Sequence, residues 1–137
     1  MTVALDTSAL VTRYVNEPGR ELVAGALADD PDWCVSEIAR SELLILLHRI
    51  AVDPAQAVEL DQRARLDWEH FAVVPVDDRC LARAVEIGTT YRVRMVDAIH
   101  LAAAHRLPQP VRFVTFDRRQ IPAAVALGFD VVAPADR

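Results

Sequence analysis

At 137 residues, 53% of them hydrophobic and 26% charged, the chain fits one domain that buries roughly 70% of its unfolded surface, and its composition excludes a disordered protein. A net charge of −5 argues against a protein that coats DNA with a broad cationic surface. All fifteen basic residues are arginine, and the absence of lysine excludes phosphate-loop nucleotide binding, Schiff-base chemistry and lysine-assisted phosphotransfer.

The first apolar run, residues 2–5, reads as a short strand covered on both faces, and it stops on Asp6, with Thr7 and Ser8 directly behind it. Helical periodicity predicts helices over 7–15 and over 18–28, the second with Pro18 in its first turn. A strand over 33–35 leads into a helix over 36–50. Asp53 followed by Pro54 starts a helix over 54–70. A strand over 72–76 ends before Asp77, helices follow over 78–91 and 95–106, and a strand over 111–116 ends before Asp117. A helix over 118–127 and a strand over 130–132 complete the series.

Strands alternating with helices predict a parallel sheet covered on both sides. Prolines fall between elements (Pro31, Pro75, Pro108, Pro110, Pro134) rather than grouping into a linker, and there is no repeat, so one domain over residues 1–137 is expected. Cys34 and Cys80 stand apart among apolar neighbours without a metal-type spacing and read as buried, reduced thiols. The first residues do not combine a basic stretch with a long apolar one, and the longest aliphatic run, residues 43–47, is too short to span a bilayer. A cytoplasmic protein without a membrane anchor is the expectation.

The chemistry lies in acids that occupy apolar surroundings. On a helical wheel of 36–50 the apolar arc is formed by Ile45, Ile38, Leu46, Ala39, Ile50 and Leu43; Glu42 falls inside it, whereas Glu37 projects to solvent near Ser41 and His48. The helix over 95–106 is apolar nearly all round and carries Asp97 between Leu101 and Ala104. A buried, charged aspartate there costs several kcal/mol unless it finds a partner. Arg94 or Arg49 could pair with Asp97 or Glu42; a cation held between several acids is the alternative. Asp6 and Asp117 both end strands, and in a doubly wound sheet ligands bind beyond the carboxyl ends of strands where strand order reverses. If the first and fourth strands are neighbours, the two acids meet. Like charges at about 4 Å repel by roughly 4 kcal/mol at an effective dielectric near 20, a sign that a divalent cation reverses. Oxygen ligands favour Mg²⁺ or Mn²⁺. Helix capping explains acids in these positions equally well: Asp6 and Asp77 each stand before a helix, and residues 117–120, DRRQ, resemble a capping box in which Gln120 reaches back.

Four short motifs, LDTSAL at 5–10, SEL at 41–43, DAIHLA at 97–102 and VTFD at 114–117, resemble in order and spacing the four acidic motifs of PIN domains, and of the VapC ribonuclease toxins in particular. The resemblance implies a three-layer α/β/α sandwich with a five-stranded parallel sheet and Mg²⁺- or Mn²⁺-dependent endonucleolytic cleavage of RNA. It assigns catalysis and metal binding to Asp6, Glu42, Asp97 and Asp117, and to Thr115 a supporting hydrogen bond. It further implies a homodimer and a small antitoxin protein as partner. On the same comparison Phe116, Arg118 and Arg119 are ordinary variation.

Arg13, Arg40, Arg92, Arg94, Arg118 and Arg119 are candidate contacts for RNA phosphates, though solvated surface accounts for any one of them. His100 reads as a packed histidine rather than a general base, and Trp33, Trp68 and Tyr91 as packing residues. Two other functions compete. An aspartyl-phosphate phosphatase or receiver domain wants a second aspartate where Ser8 stands, and a lysine. A catalytically silent PIN-fold module that binds RNA or protein is the other, and the presence of all four acids counts against it.

Overall fold

The first strand, β1 (Thr2–Leu5), sends Val3 and Leu5 to one side of the sheet and Ala4 to the other, and each side meets its own layer of helices. The computed structural model describes residues 1–28 and 32–134, so Pro31 lies outside the described residues. β2 (Trp33–Ser36), β3 (Ala72–Val74), β4 (Val111–Val114) and β5 (Asp130–Val132) complete a wholly parallel five-stranded sheet in the order β3, β2, β1, β4, β5.

On the face of Val3 and Leu5 lie α1 (Thr7–Leu10), α2 (Arg20–Ala28), α3 (Glu37–Ile50) and α4 (Pro54–Trp68). The opposite face, that of Ala4 and Phe113, is covered by α5 (Asp78–Tyr91), α6 (Met95–His105) and α7 (Ile121–Ala126). The result is the three-layer α/β/α sandwich. Strands this short are stabilised by burial on both faces rather than by length, which is why they read as apolar runs instead of alternating ones. Cys34 and Cys80 are buried inside it and form no disulfide. Among the described residues no helix is long and apolar enough to cross a membrane.

The strand order reverses at β1. Its register with β4 pairs Leu5 with Val114, so the residues that follow, Asp6 and Thr115, leave the sheet side by side. That places them in the crevice where a parallel sheet of this kind offers a ligand site.

Several predicted boundaries shift for local reasons. β3 stops at Val74 rather than residue 76 because Pro75 has no N–H for the ladder. β4 stops at Val114 rather than residue 116, since the Phe116 N–H turns to the Ser8 hydroxyl at 2.8 Å. α1 gives way after Leu10 to a 3₁₀ turn, Val11–Arg13, in which Thr12 donates back to the Ala9 carbonyl at 2.7 Å. α2 begins at Arg20 instead of residue 18, because Gly19 has a φ of +92° that no helix interior accommodates. A side chain at position 19 would also meet the Phe116 ring at 2.6 Å, so the start of α2 lies directly against the segment that carries Asp117.

The face assigned to α3 also needs correction. Its buried stripe is Ala39, Leu43 and Leu47, while Ile45 and Ile50, counted in the apolar arc, are 53% and 42% exposed. A helix covering one side of a sheet buries only the stripe that touches it, and side-chain hydropathy alone does not centre that stripe. Glu42 adjoins it, half-buried.

Candidate active site

Asp6 is the N-cap of α1: its carboxylate accepts from the Ala9 N–H at 3.0 Å and, through the same oxygen, from the Ser8 hydroxyl at 2.7 Å. The second oxygen accepts from the Thr115 hydroxyl at 2.6 Å and from the Gln120 side-chain amide at 3.0 Å. Capping therefore uses one side of the carboxylate and leaves the other turned toward β4 and the turn beyond it. Asp6 is only 1% exposed, and burial pushes its carboxyl above the ordinary aspartate value, with the hydrogen bond from Thr115, the nearness of His100 and the bonds from Ser8 and Ala9 offsetting part of that rise.

Asp97 enters from the first turn of α6, where Leu101 and the small side chains Ala98, Ala102, Ala103 and Ala104 bury the helix among its neighbours. Its Oδ1 accepts from the same Gln120 nitrogen at 3.2 Å, so one amide donates to both Asp6 and Asp97. Its Oδ2 accepts from Arg94 Nε at 3.0 Å, and the Arg94 guanidinium continues to Asp117 at 3.7 Å. The arginine pairing expected as one alternative is therefore real, and it joins two of the acids. These carboxylates hold Arg94 more firmly protonated than a free arginine, chiefly through the hydrogen bond to Asp97.

Asp117 caps the 3₁₀ turn Arg118–Gln120, accepting from the Arg119 N–H at 3.0 Å and from the Arg119 guanidinium at 3.2 Å. The capping box does not close. The Asp117 N–H goes to the Thr115 hydroxyl at 3.0 Å, and Gln120 points inward, 2% exposed, at Asp6 and Asp97. Asp77, by contrast, is a cap with a surface partner: it accepts from Cys80 N–H at 2.9 Å and from Arg106 at 2.8 Å.

Glu42 sits on the neighbouring helix with different partners. Its Oε1 accepts from the Thr7 hydroxyl at 2.6 Å and from His100 Nε2 at 2.7 Å. With Nε2 donating, His100 Nδ1 faces the Ser36 hydroxyl at 3.2 Å. Burial acts to raise the Glu42 carboxyl, but the bonds from His100 and Thr7, and the nearness of His100 and Arg94, outweigh it and leave the group below the usual glutamate value. A folded value below the unfolded 4.5 means that Glu42 adds stability above pH 4.5 and loses it as pH falls through the folded value. Unfolding measured from pH 3 to 7 should accordingly give a shallower acid limb for Glu42→Gln than for the wild type, and superimposable limbs would refute the account of Glu42.

Three of the acids are linked in pairs, Asp6 with Asp97 through Gln120 and Asp97 with Asp117 through Arg94, and Glu42 lies within the field of the same arginine. Among the described residues no three His, Cys, Asp or Glu side chains converge into a ready cage for an ion. Two observations nonetheless fit a hard dication between Asp6 and Asp97. Both carboxylates reach one nitrogen, close enough for a cation that takes few direct carboxylates and keeps its waters. The Gln120 Oε1 beside them is buried without a hydrogen-bond partner, an acceptor with nothing to accept.

Gln120, Thr7 and His100 are site residues that the sequence reading did not assign. His100 is packed as expected, at 4% exposure, yet it touches Glu42. The signal was its position three residues after Asp97, which puts both on one face of α6. Gln120 follows Asp117 by three in the same way, in a turn of three residues per repeat.

A three-layer parallel α/β protein with acids converging beyond β1 and β4 is the class that the fold and the site define. The chain belongs to the PIN domain family, whose family model matches residues 3–126. It is 33% identical over 134 residues to ribonuclease VapC46 of Mycobacterium tuberculosis, covering 97% of this chain and 98% of that protein. Ribonuclease VapC47 of the same species is 29% identical over 137 residues, with 96% of each chain covered. A chain of a toxin–antitoxin complex from Klebsiella pneumoniae superposes with a TM-score of 0.71 over 99% of this chain and 100% of its own; at 23% identity it speaks for the fold.

Proposed function

We propose that this protein is a metal-dependent endoribonuclease and the toxin of a toxin–antitoxin pair, working as one domain over residues 1–137 through Asp6, Glu42, Asp97 and Asp117. The observation that carries the reading is the meeting of Asp6 and Asp97 on a single amide nitrogen beyond the end of β1. Asp6 and Asp97 would hold Mg²⁺ or Mn²⁺ directly, with Asp117 and Glu42 adding negative charge to the site. When bound, the ion supplies a Lewis acid that acidifies water and offsets charge on a phosphodiester.

The chain's own residues prepare that chemistry. Thr115 fixes the Asp6 carboxylate from β4 and at the same time takes the Asp117 N–H, so one hydroxyl sets two acids. Thr7 and His100 hold Glu42 as an anion at neutral pH. Arg94, 64% exposed, neutralises Asp97 and Asp117 and is free to turn toward a phosphate once a cation takes over that role.

RNA as substrate is supported by a cavity of about 290 Å³ lined by Thr12, Arg13, Arg20, Val23, Ala24 and Arg63, three arginines without an acid among the described lining residues. It lies past the end of α1, and Arg20 follows Gly19, which touches Phe116 beside Asp117. The Arg13 guanidinium lies over Trp33 at 5.1 Å and pairs with Asp67 at 3.4 Å, while Arg63 lies over Tyr14 at 5.5 Å, which leaves Arg20 and Arg63 to meet phosphate oxygens. Trp33 thus packs, as expected, but also carries an arginine. The toxin role and a small antitoxin partner are supported by relatives named ribonuclease VapC and by a fold shared with a chain of a toxin–antitoxin complex; a homodimer and a cytoplasmic location are part of the same proposal.

Purified protein should cut structured RNA with Mg²⁺ or Mn²⁺ and stop with EDTA. Arg20→Ala with Arg63→Ala should raise KM about tenfold or more, with kcat little changed, because lost phosphate contacts weaken binding without touching the acids. Folded protein that binds RNA and never cuts it, in either metal, would replace this reading with the silent binding module.

A further inference from the structure

The Asp6 carboxylate has no lone pair to spare. An ionised carboxylate offers about four acceptor positions. Ser8 and Ala9 take Oδ1, and Thr115 and Gln120 take Oδ2. A cation that ligates Asp6 must therefore displace a donor. Ser8 and Ala9 belong to the cap of α1, and Thr115 leaves β4 beside β1, so all three are tied to main-chain geometry at the site. Gln120 is different. It reaches in on a long side chain from a 3₁₀ turn, and its amide donates to Asp97 as well, so it occupies both carboxylates that a cation would bridge.

We propose that Gln120 is a built-in competitor for the divalent ion: its amide holds Asp6 and Asp97 together by donating to both, and it gives up those bonds when the ion binds, so that it sets how much metal the site requires. The inference rests on the metal reading above and goes beyond it. The amide assignment is fixed by its surroundings, because a carboxamide between two carboxylates must offer its N–H groups to them. That choice leaves Oε1 buried without a partner. A residue placed only to cross-link the core would satisfy both ends of its amide; this one is committed at its donor end alone.

Thermodynamic linkage gives the sign. Replacing Gln120 by a side chain of similar length that cannot donate weakens the protein that holds no ion, and leaves the ion-bound protein, in which the amide has already let go, less affected. Apparent metal affinity must then rise. For Gln120→Met the Mn²⁺ dissociation constant, read by titration calorimetry or by the manganese spin resonance signal, should fall about fivefold or more, the loss of two charge-assisted bonds. The unfolding midpoint in EDTA should fall, and saturating Mn²⁺ should bring it back toward that of the wild type. Gln120→Glu, a second variant that puts a third carboxylate in the same place, should tighten Mn²⁺ further while lowering the midpoint in EDTA.

Mn²⁺ bound equally well or more weakly by Gln120→Met would overturn the proposal, because the amide would then be a neutral cross-link or a support that stays on the ligated acids. Failure of the metal reading looks different. In that case wild-type protein and Asp97→Asn both bind negligible Mn²⁺, and the competitor role falls with the site itself.

Discussion

Asp6→Asn and Asp97→Asn should each lower metal-dependent cutting of a structured RNA by about 1,000-fold or more, the equivalent of the several kcal/mol of charge stabilisation that an ion contributes to phosphodiester attack. For Asp6→Asn the thermal transition should lose the part of its pH dependence that Asp6 contributes. Burial raises the Asp6 carboxyl above its unfolded value of 3.8, so between 3.8 and the folded value the native state holds a proton that the unfolded chain has released. Stability therefore falls as pH rises through that window, and an uncharged asparagine removes the slope. The cap on α1 survives the change, since an asparagine oxygen can accept from Ala9 as aspartate does. Asp97→Asn tests the other half of the pair and gives up its ion pair with Arg94, a part-buried contact in which the arginine is exposed and the aspartate is not. Undiminished cutting by both variants would remove Asp6 and Asp97 from the chemistry. A loss of folding in Asp6→Asn would instead make Asp6 a structural cap and nothing more.

The parts of this site that the sequence disclosed are those fixed by the sheet. An acid that ends an apolar strand has one place to go, and adjacency of the first and fourth strands was the single condition for Asp6 and the fourth motif to meet. The register that pairs Leu5 with Val114 satisfies it. Asp97 was legible for another reason: a helix buried all round leaves an acid no solvated direction. Glu42 was placed on the right side of α3 by an arc whose centre was wrong, with Ile45 and Ile50 assigned to a core they do not enter.

What escaped depends on contacts between elements far apart in the chain. Gln120 was matched to a local capping pattern, and that pattern lost to two buried carboxylates arriving from β1 and α6, which bind an amide more strongly than the Asp117 backbone does. The pairing of Thr7 with Glu42 and of Glu42 with His100 spans three elements, α1, α3 and α6, and no periodicity within one element encodes it. Nor could motif order reveal that the acids meet as linked pairs with Arg94 and Gln120 between them, rather than as a cage of bare oxygens.

The second large effect is expected at His100. This ring is 4% exposed and joins three side chains: Glu42 at 2.7 Å, Ser36 at 3.2 Å and Thr7 at 3.3 Å. His100→Ala leaves the Ser36 hydroxyl buried without its ring partner and opens space beside Glu42, so stability should drop by about 2–4 kcal/mol, the scale of a broken buried polar network. Cutting should drop as well, by about 10–100-fold and in kcat rather than KM, as happens when the group that orients a ligating or charge-setting carboxylate is lost. His100→Gln separates the two roles. Its amide nitrogen can take the place of Nε2 and donate to Glu42, but it cannot also serve Ser36 as the ring does. It should therefore recover much of the cutting while recovering little of the stability. If the glutamine variant follows its stability, remaining as impaired in cutting as His100→Ala, then His100 acts on α6 packing alone and Glu42 takes its orientation from Thr7.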